Sequence, residues 1–401
     1  MGRLLLWLMV AQAALPVFAS DWSALNRYQQ TISRTQFDAL LSSVYCPSGA
    51  LTNYLTYGTN SVAVYAASVK TNSPLFVLQF ASHHSSFLSQ YPPSVATGLS
   101  LRRVALDPGH IGGAWARMEE RYFVRGNDRP VQEAALNLLV ARLLKKQLEA
   151  AGLEVFLTKN EFEPVTEKRP EDFRMQAEEE MSSLTSFESF PPPERQAAVA
   201  DAIRRRAELL FYRGAEIAAR ARLLNETFKP DLTLCIHFNA VEWDECQDLV
   251  ADNRLVVFVH GDYMEPELKD DDQKLRLVSK LLEQSHPTEL AVANEIAEAL
   301  ANATKLPPVE YEPGSGAVRV GDSPYVYARN LAANRLINGP VVYLEPYYMN
   351  NRVVYQRIQL GDYDGQREIE GRAYKSIFRE YADAVADGLT HFLPAKGTKS
   401  R

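Results

Sequence analysis

Four short stretches, far apart in this 401-residue chain, each place a metal-ligating or proton-transferring side chain at the end of an apolar run or the start of a helix. They are Val104-Ala-Leu-Asp-Pro-Gly-His110, Gln132-Glu133-Ala-Ala-Leu-Asn137, Leu234-Cys-Ile-His237-Phe-Asn239 and Val341-Val-Tyr-Leu-Glu345. Two imidazoles and a carboxylate can hold a zinc ion with one position left open for water, and a second carboxylate can take that water's proton. The expected chemistry is hydrolysis.

The local spelling assigns the parts. His110 follows Asp107-Pro-Gly at a strand end, where Gly109, Gly112 and Gly113 let the backbone turn sharply. Glu133 opens an amphipathic helix with apolar Leu136, Leu139, Val140 and Leu143, and Asn137 lies one turn later on the same face. Glu119 and Glu120 lie nearer His110 and rival Glu133 as the carboxylate ligand. His237 closes the apolar run from Leu232, with Asn239 two residues on. Glu345 ends another apolar strand, where burial raises a carboxyl's proton affinity and suits it to general-base work. No Ser or Cys stands in a nucleophile-elbow setting such as G-x-S-x-G.

Taken in order, "DPGH", "E-x-x-x-N-L", "IHFNA" and "LEPYYMNN" resemble the zinc-dependent N-acetylmuramoyl-L-alanine amidases, which trim bacterial peptidoglycan. The resemblance covers residues from about 103 to 159, 214 to 240 and 290 to 352. It implies one zinc ion on His110, Glu133 and His237, and Glu345 as the catalytic glutamate. It also makes Asn239 the neighbour of the second histidine, and Arg220 and Asn225 supporting residues on the preceding helix. Asp107 is expected to be a strand-end group or one that orients His110, rather than a ligand itself. The gap from His110 to Glu133 is longer than usual in that family. Three further departures are Ile111 for a glycine, Lys159 for an arginine, and Pro346-Tyr-Tyr348 for a segment with a glycine and a phenylalanine.

The elements that must position these groups follow from periodicity. From residue 101 the chain alternates strands (Arg103 to Asp107, Leu153 to Thr158, Leu232 to His237, Leu255 to His260, Val341 to Glu345) with helices (Val131 to Ala151, Glu194 to Thr227, Leu290 to Ala301). Near-continuous Val, Ile and Leu runs between helices predict an α/β fold: a mainly parallel, mixed sheet with helices on both faces. Ligands bind beyond the carboxyl ends of such strands, where Asp107 to His110, His237 and Glu345 all fall. Residues 101–393 are the expected catalytic domain, with charged insertions near 161–193 and 261–289 that read as solvated loops or surface helices. In some of the amidases that the chain resembles, an insertion at this place folds over the zinc, which implies that Glu265, Glu267 or Asp270 to Asp272 of the second insertion could fill the open metal position.

Residues 20–100 read as a small α/β module of unassigned role, with a helix over Trp22 to Val44, short strands at Ser61 to Val69 and Leu75 to Phe80, and a break at Tyr91-Pro-Pro93. His83 and His84 fit a surface turn. Residues 1–19 read as a secretory signal, with Arg3, an apolar run from Leu4 to Val10 and cleavage after Ala19. Export to a periplasm or the extracellular space is expected, with no stable membrane insertion after cleavage. The 43 basic and 50 acidic residues give a net charge of −7, which becomes −8 once Arg3 is removed. That balance argues against nucleic acid. Peptidoglycan is the expected partner, and a regulatory protein a further one. Three cysteines, Cys46, Cys235 and Cys246, leave at least one thiol free, and Cys235 is expected to pack as a buried thiol. Two alternatives stay open: another zinc amide or peptide hydrolase whose rim at Tyr347 and Tyr348 selects a different substrate, and an inactive wall-binding or regulatory homologue.

Overall fold

The computed structural model describes residues 21–70, 73–82, 100–182, 192–241 and 249–393. The expected signal segment, His83, His84, the Tyr91-Pro-Pro93 break and Cys246 lie outside these residues. Strands β1 (Leu55–Tyr57), β2 (Ser61–Val64) and β3 (Phe76–Gln79) form an antiparallel sheet in that order. Strands β4 (Arg103–Pro108), β5 (Tyr122–Phe123), β6 (Val131–Gln132), β7 (Glu154–Leu157), β8 (Leu232–Ile236), β9 (Leu255–His260), β10 (Val318–Arg319), β11 (Val326–Arg329) and β12 (Val341–Pro346) follow. Seven of them make one sheet, ordered β10-β11-β9-β12-β8-β4-β7.

Strands β7, β4, β8 and β12 run parallel, so the carboxyl ends of β4, β8 and β12 share one rim. β9 runs antiparallel to β12, pairing Val256 with Glu345, and β11 is parallel to β9. The alternation of side chains sorts the two faces. Val104, Leu106, Leu232, Leu234, Ile236, Val342 and Leu344 enter the large core, whereas Ala105, Cys235 and Val341 pack with Ala221 and Leu224 on the other side.

Helices cover both faces. In chain order they are α1 (Arg34–Leu40), α2 (Glu133–Ala150), α3 (Arg174–Ser182), α4 (Pro192–Leu209), α5 (Glu216–Arg222), α6 (Asp271–Glu283), α7 (His286–Thr304), α8 (Ala332–Leu336), α9 (Arg352–Leu360) and α10 (Ile377–Gly388). α2 buries Leu136, Val140, Ala141, Leu144 and Leu148 in the large core, and Gly152 at φ +95° turns the chain into β7. The expected helix over Glu194 to Thr227 is present as α4 and α5, joined and extended by π turns at Leu210–Ala215 and Leu223–Phe228.

Two expectations are corrected. The helix expected over Trp22 to Val44 is instead a 3-10 turn (Trp22–Tyr28), a break, and then α1. Ser33 and Gln36 form a reciprocal capping box that starts a new helix, and Gln30 takes φ +62°. The segment 261–289, expected as a solvated loop or a surface helix, is helical but half buried. It contains α6, whose Leu277, Val278, Leu281 and Leu282 enter the large core together with the N-terminal Val44, Tyr45 and Leu51. Because β9 is antiparallel to β12, that segment leaves the sheet at the rim opposite Glu345. The acidic residues of 265–272 therefore stand at the far end of the strands from His110 and His237.

Candidate metal centre

His110 adopts φ +64° directly after Pro108 and Gly109, which throws its ring inward off the end of β4. Gly109 is required by space: a Cβ there would lie 1.9 Å from His237 Cε1. Its N–H donates to the Ile236 carbonyl (2.9 Å), and its own carbonyl accepts from Asn137 Nδ2 (3.2 Å), so Asn137 ties the start of α2 to the strand end. The Asn137 Oδ1 is buried without a partner.

Glu133 is the first residue of α2 and is 3% exposed, lying between the two imidazoles. One carboxylate oxygen is 2.8 Å from His237 Nδ1, the other 3.1 Å from His110 Nε2. The three side chains each offer a ligand atom within 4.8 Å of the others, a grouping that survives from residues 23 and 104 positions apart. Two nitrogens and one oxygen converging on a point suit a catalytic zinc site. Burial opposes charge on Glu133, but His110 and His237 outweigh it and hold the carboxyl well below its usual range. Burial lowers the His237 proton affinity, which favours the neutral ring a metal needs, while Glu133 and Glu119 outweigh burial at His110.

Glu119 does not join this group. It accepts from the backbone N–H of Ile111 (2.8 Å) and Gly112 (2.9 Å) and reaches His110 Nδ1 at 3.6 Å, so it fixes the glycine turn and the back of the His110 ring. Asp107 stays at the strand end, where it accepts from Thr158 Oγ1 (2.5 Å) and Arg220 Nη1 (3.3 Å). Arg220 also donates to the His110 carbonyl (2.8 Å) and the Pro108 carbonyl (3.0 Å) while paired with Glu216. Lys159 donates to the carbonyls of His110 and Ile111, and burial, with Arg220 close by, brings its ammonium down to about 7. The strand-end backbone is thus clamped by Arg220 and Lys159.

Glu345 follows Leu344, which pairs with Ile236, and it shares the face of Tyr343 and His237. The Tyr343 ring stacks on His237 at 4.3 Å between centroids. Burial first, and the nearby Glu133 charge second, push Glu345 up to about 7 against Arg329, Arg121 and His110. A carboxyl at that value can accept and return a proton near neutrality.

The remaining residues act at a distance. Asn239 bonds the Tyr347 carbonyl through its N–H (2.9 Å) and caps Ala240 N–H with its side chain (2.7 Å), fixing the loop after His237. Asn225 holds the Leu336 carbonyl and the Asn338 N–H, outside the centre. Tyr347, expected on a substrate rim, is 1% exposed, stacks on Phe238 and donates to Glu380 (2.9 Å), and Tyr348 is 7% exposed. Cys235 is a buried free thiol, as its strand position suggests.

Arg121 was not read from the sequence as part of the site, yet its Nε lies 3.1 Å from Glu133. The signal was available: it belongs to the extra residues between His110 and Glu133.

A family model described as N-acetylmuramoyl-L-alanine amidase matches residues 104–379. Similar solved structures include the apo N-acetylmuramyl-L-alanine amidase from Mycobacterium abscessus (16% identity, 74% of this chain and 100% of that one, TM-score 0.38). The catalytic domain of an N-acetylmuramoyl-L-alanine amidase from Bacillus (Paenibacillus) polymyxa var. colistinus is 17% identical over 73% of this chain and 98% of its own, at a TM-score of 0.39. An amidase from Clostridioides difficile, solved in complex with a lipoprotein, is 14% identical over 73% and 98%, at 0.37. No curated protein matches the sequence.

Proposed function

The chain belongs to the N-acetylmuramoyl-L-alanine amidase family, and we propose that His110, Glu133 and His237 hold its one zinc ion while Glu345 moves the proton. Its reaction is hydrolysis of the peptidoglycan amide that joins N-acetylmuramic acid to L-alanine. The observation that carries the site assignment is the convergence of two histidines and a carboxylate on one point at the shared rim of β4, β8 and β12.

When bound, the ion would polarise the scissile carbonyl and acidify water. The chain's own residues do the rest. His110 is held by Glu119 behind its ring and by Arg220 and Lys159 on its carbonyl. Tyr343 covers the flat of His237, excluding water from that side. Glu345, on the same face as His237, takes the proton from the attacking water and returns it to the departing L-alanine nitrogen. Its raised proton affinity serves both halves of that transfer.

The same reading places the enzyme at the cell wall, after export directed by residues 1–19. A regulatory protein partner fits an enzyme that cuts its own cell's wall. Among the described residues no helix is long and apolar enough to cross a membrane.

The test is digestion of purified peptidoglycan by zinc-loaded protein, followed by identification of the released ends. Free L-alanine amino termini and lactyl-muramic chains, abolished by a chelator and restored by zinc, are expected. Cuts elsewhere in the stem peptide would assign another amide, and metal-independent release would remove zinc from the scheme.

A further inference from the structure

Between His110 and Glu133 the chain makes an excursion that ends in the β5–β6 hairpin, where Tyr122 pairs with Gln132 and Phe123 with Val131. Its tip is tied down on the other side of the centre: Tyr355 of α9 donates to Asp128 (2.7 Å), Gln359 Nε2 donates to the Arg129 carbonyl (2.9 Å), and Arg129 returns a bond to the Gln359 carbonyl. The Phe123 ring stacks on Tyr355 at 5.9 Å. The hairpin therefore bridges the strand that supplies His110 and the helix that follows Glu345.

At the base of this bridge Arg121 is fixed by its backbone, its N–H donating to the Ala116 carbonyl (3.1 Å) and its carbonyl accepting from Glu133 N–H (3.3 Å). Its Nε lies on Glu133 and its Nη1 on the Glu120 carbonyl (3.1 Å). A guanidinium has five N–H donors in a fixed fork; here Nη1 is hydrogen-bonded to the Glu120 carbonyl and Nε is ion-paired with Glu133. The side chain is nevertheless 40% exposed, beside a carboxylate that is 3% exposed. A cation next to a metal site weakens metal binding by repulsion, and Glu133 already has two histidines against it. Arg121 thus sets a partly exposed guanidinium beside the centre, close to both Glu133 and Glu345, where its remaining donors can meet an anion.

We propose that Arg121 is a specificity-determining residue that binds a free carboxylate on the peptide side of the scissile amide. The inference rests on the amidase reading. The glycan side of that bond is neutral, since its lactyl carboxyl is the one tied up in the amide. The peptide side carries acidic residues whose carboxyl groups are free in some walls and amidated in others. A guanidinium fork discriminates strongly between the two, because an amide brings an N–H against its donors.

The experiment compares two soluble N-acetylmuramoyl peptides that differ only in whether the residue after L-alanine carries a carboxylate or a carboxamide, with kcat and KM measured separately on zinc-loaded protein. The wild type should prefer the carboxylate by roughly tenfold or more in kcat/KM, the usual weight of a charge-assisted hydrogen bond. R121Q should bring the ratio to about unity, chiefly through KM, with zinc content unchanged. R121K should keep part of the preference, and R117Q, on a neighbouring arginine that lies over Tyr122 (4.0 Å), should keep all of it. An equal loss on both substrates, or a fall in zinc content with the ratio preserved, would make Arg121 only a counter-ion for Glu133 and overturn the inference, as would a wild type without preference. Failure of the wild type to cut either peptide would instead refute the amidase reading.

Discussion

At the scale of single residues the candidate centre separates ligands from their supports. H110A, E133A and H237A should each lose most of the bound zinc by metal analysis, whereas E119A should keep a metal of reduced affinity, since Glu119 touches the back of His110 and the turn rather than the centre. E345Q should retain zinc and lose about 100-fold to 10,000-fold in rate on peptidoglycan, the usual cost of removing a general base. A variant within a few-fold of wild type would move that role elsewhere. G109A makes a sharper demand. It removes no ligand, but its methyl would sit 1.9 Å from the His237 ring and must displace it. A fall in zinc affinity of about tenfold or more is expected by competition with a chelator.

At the scale of elements, α7 starts under the sheet with a buried carboxylate. Glu289 is fully buried, accepts from Ser285 Oγ (3.1 Å) and the Val341 N–H (3.2 Å), and has one oxygen without a partner. Burial pushes it up to about 7, against Lys280. A folded-state value above the unfolded one means that the folded chain holds this proton more tightly. The stability so gained is full below about pH 4.5 and is lost as the pH rises through about 7, a difference of roughly 3 kcal/mol. E289Q should therefore be more stable than wild type at pH 8 in urea unfolding, and the advantage should vanish towards pH 5. A pH-independent difference would show that packing, rather than titration, dominates there.

At the scale of the whole molecule, residues 21–70 and 73–82 pack with helix α6 on the far side of the seven-stranded sheet. Asp262 and Tyr263 donate their backbone N–H groups to the carbonyls of Val44 and Tyr45 (both 2.8 Å), Tyr45 bonds the Lys280 carbonyl (3.1 Å), and Tyr45 packs against His260 and His286. We propose that this N-terminal part is a structural component of the fold. A chain truncated to begin at residue 100 would expose the apolar residues of α6 and should lose ~10 °C or more in Tm. An unchanged Tm would make this N-terminal part an independent appendage. The same packing explains why an acidic insertion behaves as a core helix: Leu277, Leu281 and Leu282 recur at helical spacing behind the Asp270–Asp272 run, and a charge run describes only the exposed face. What the sequence determined by itself was local chemistry with a local cause. His110, Glu133, His237 and Glu345 stand out as candidates because each sits where an apolar run ends or an amphipathic helix begins, and the parallel β4, β8 and β12 followed from unbroken apolar runs between helices. Tertiary structure decided what depends on strand direction and on contacts distant in sequence. The antiparallel course of β9 sends 261–289 to the opposite rim, the β5–β6 hairpin brings Arg121 onto Glu133, and Glu119 reaches His110. None of these is written in periodicity, because the side-chain pattern of a buried strand is the same whichever way the strand runs.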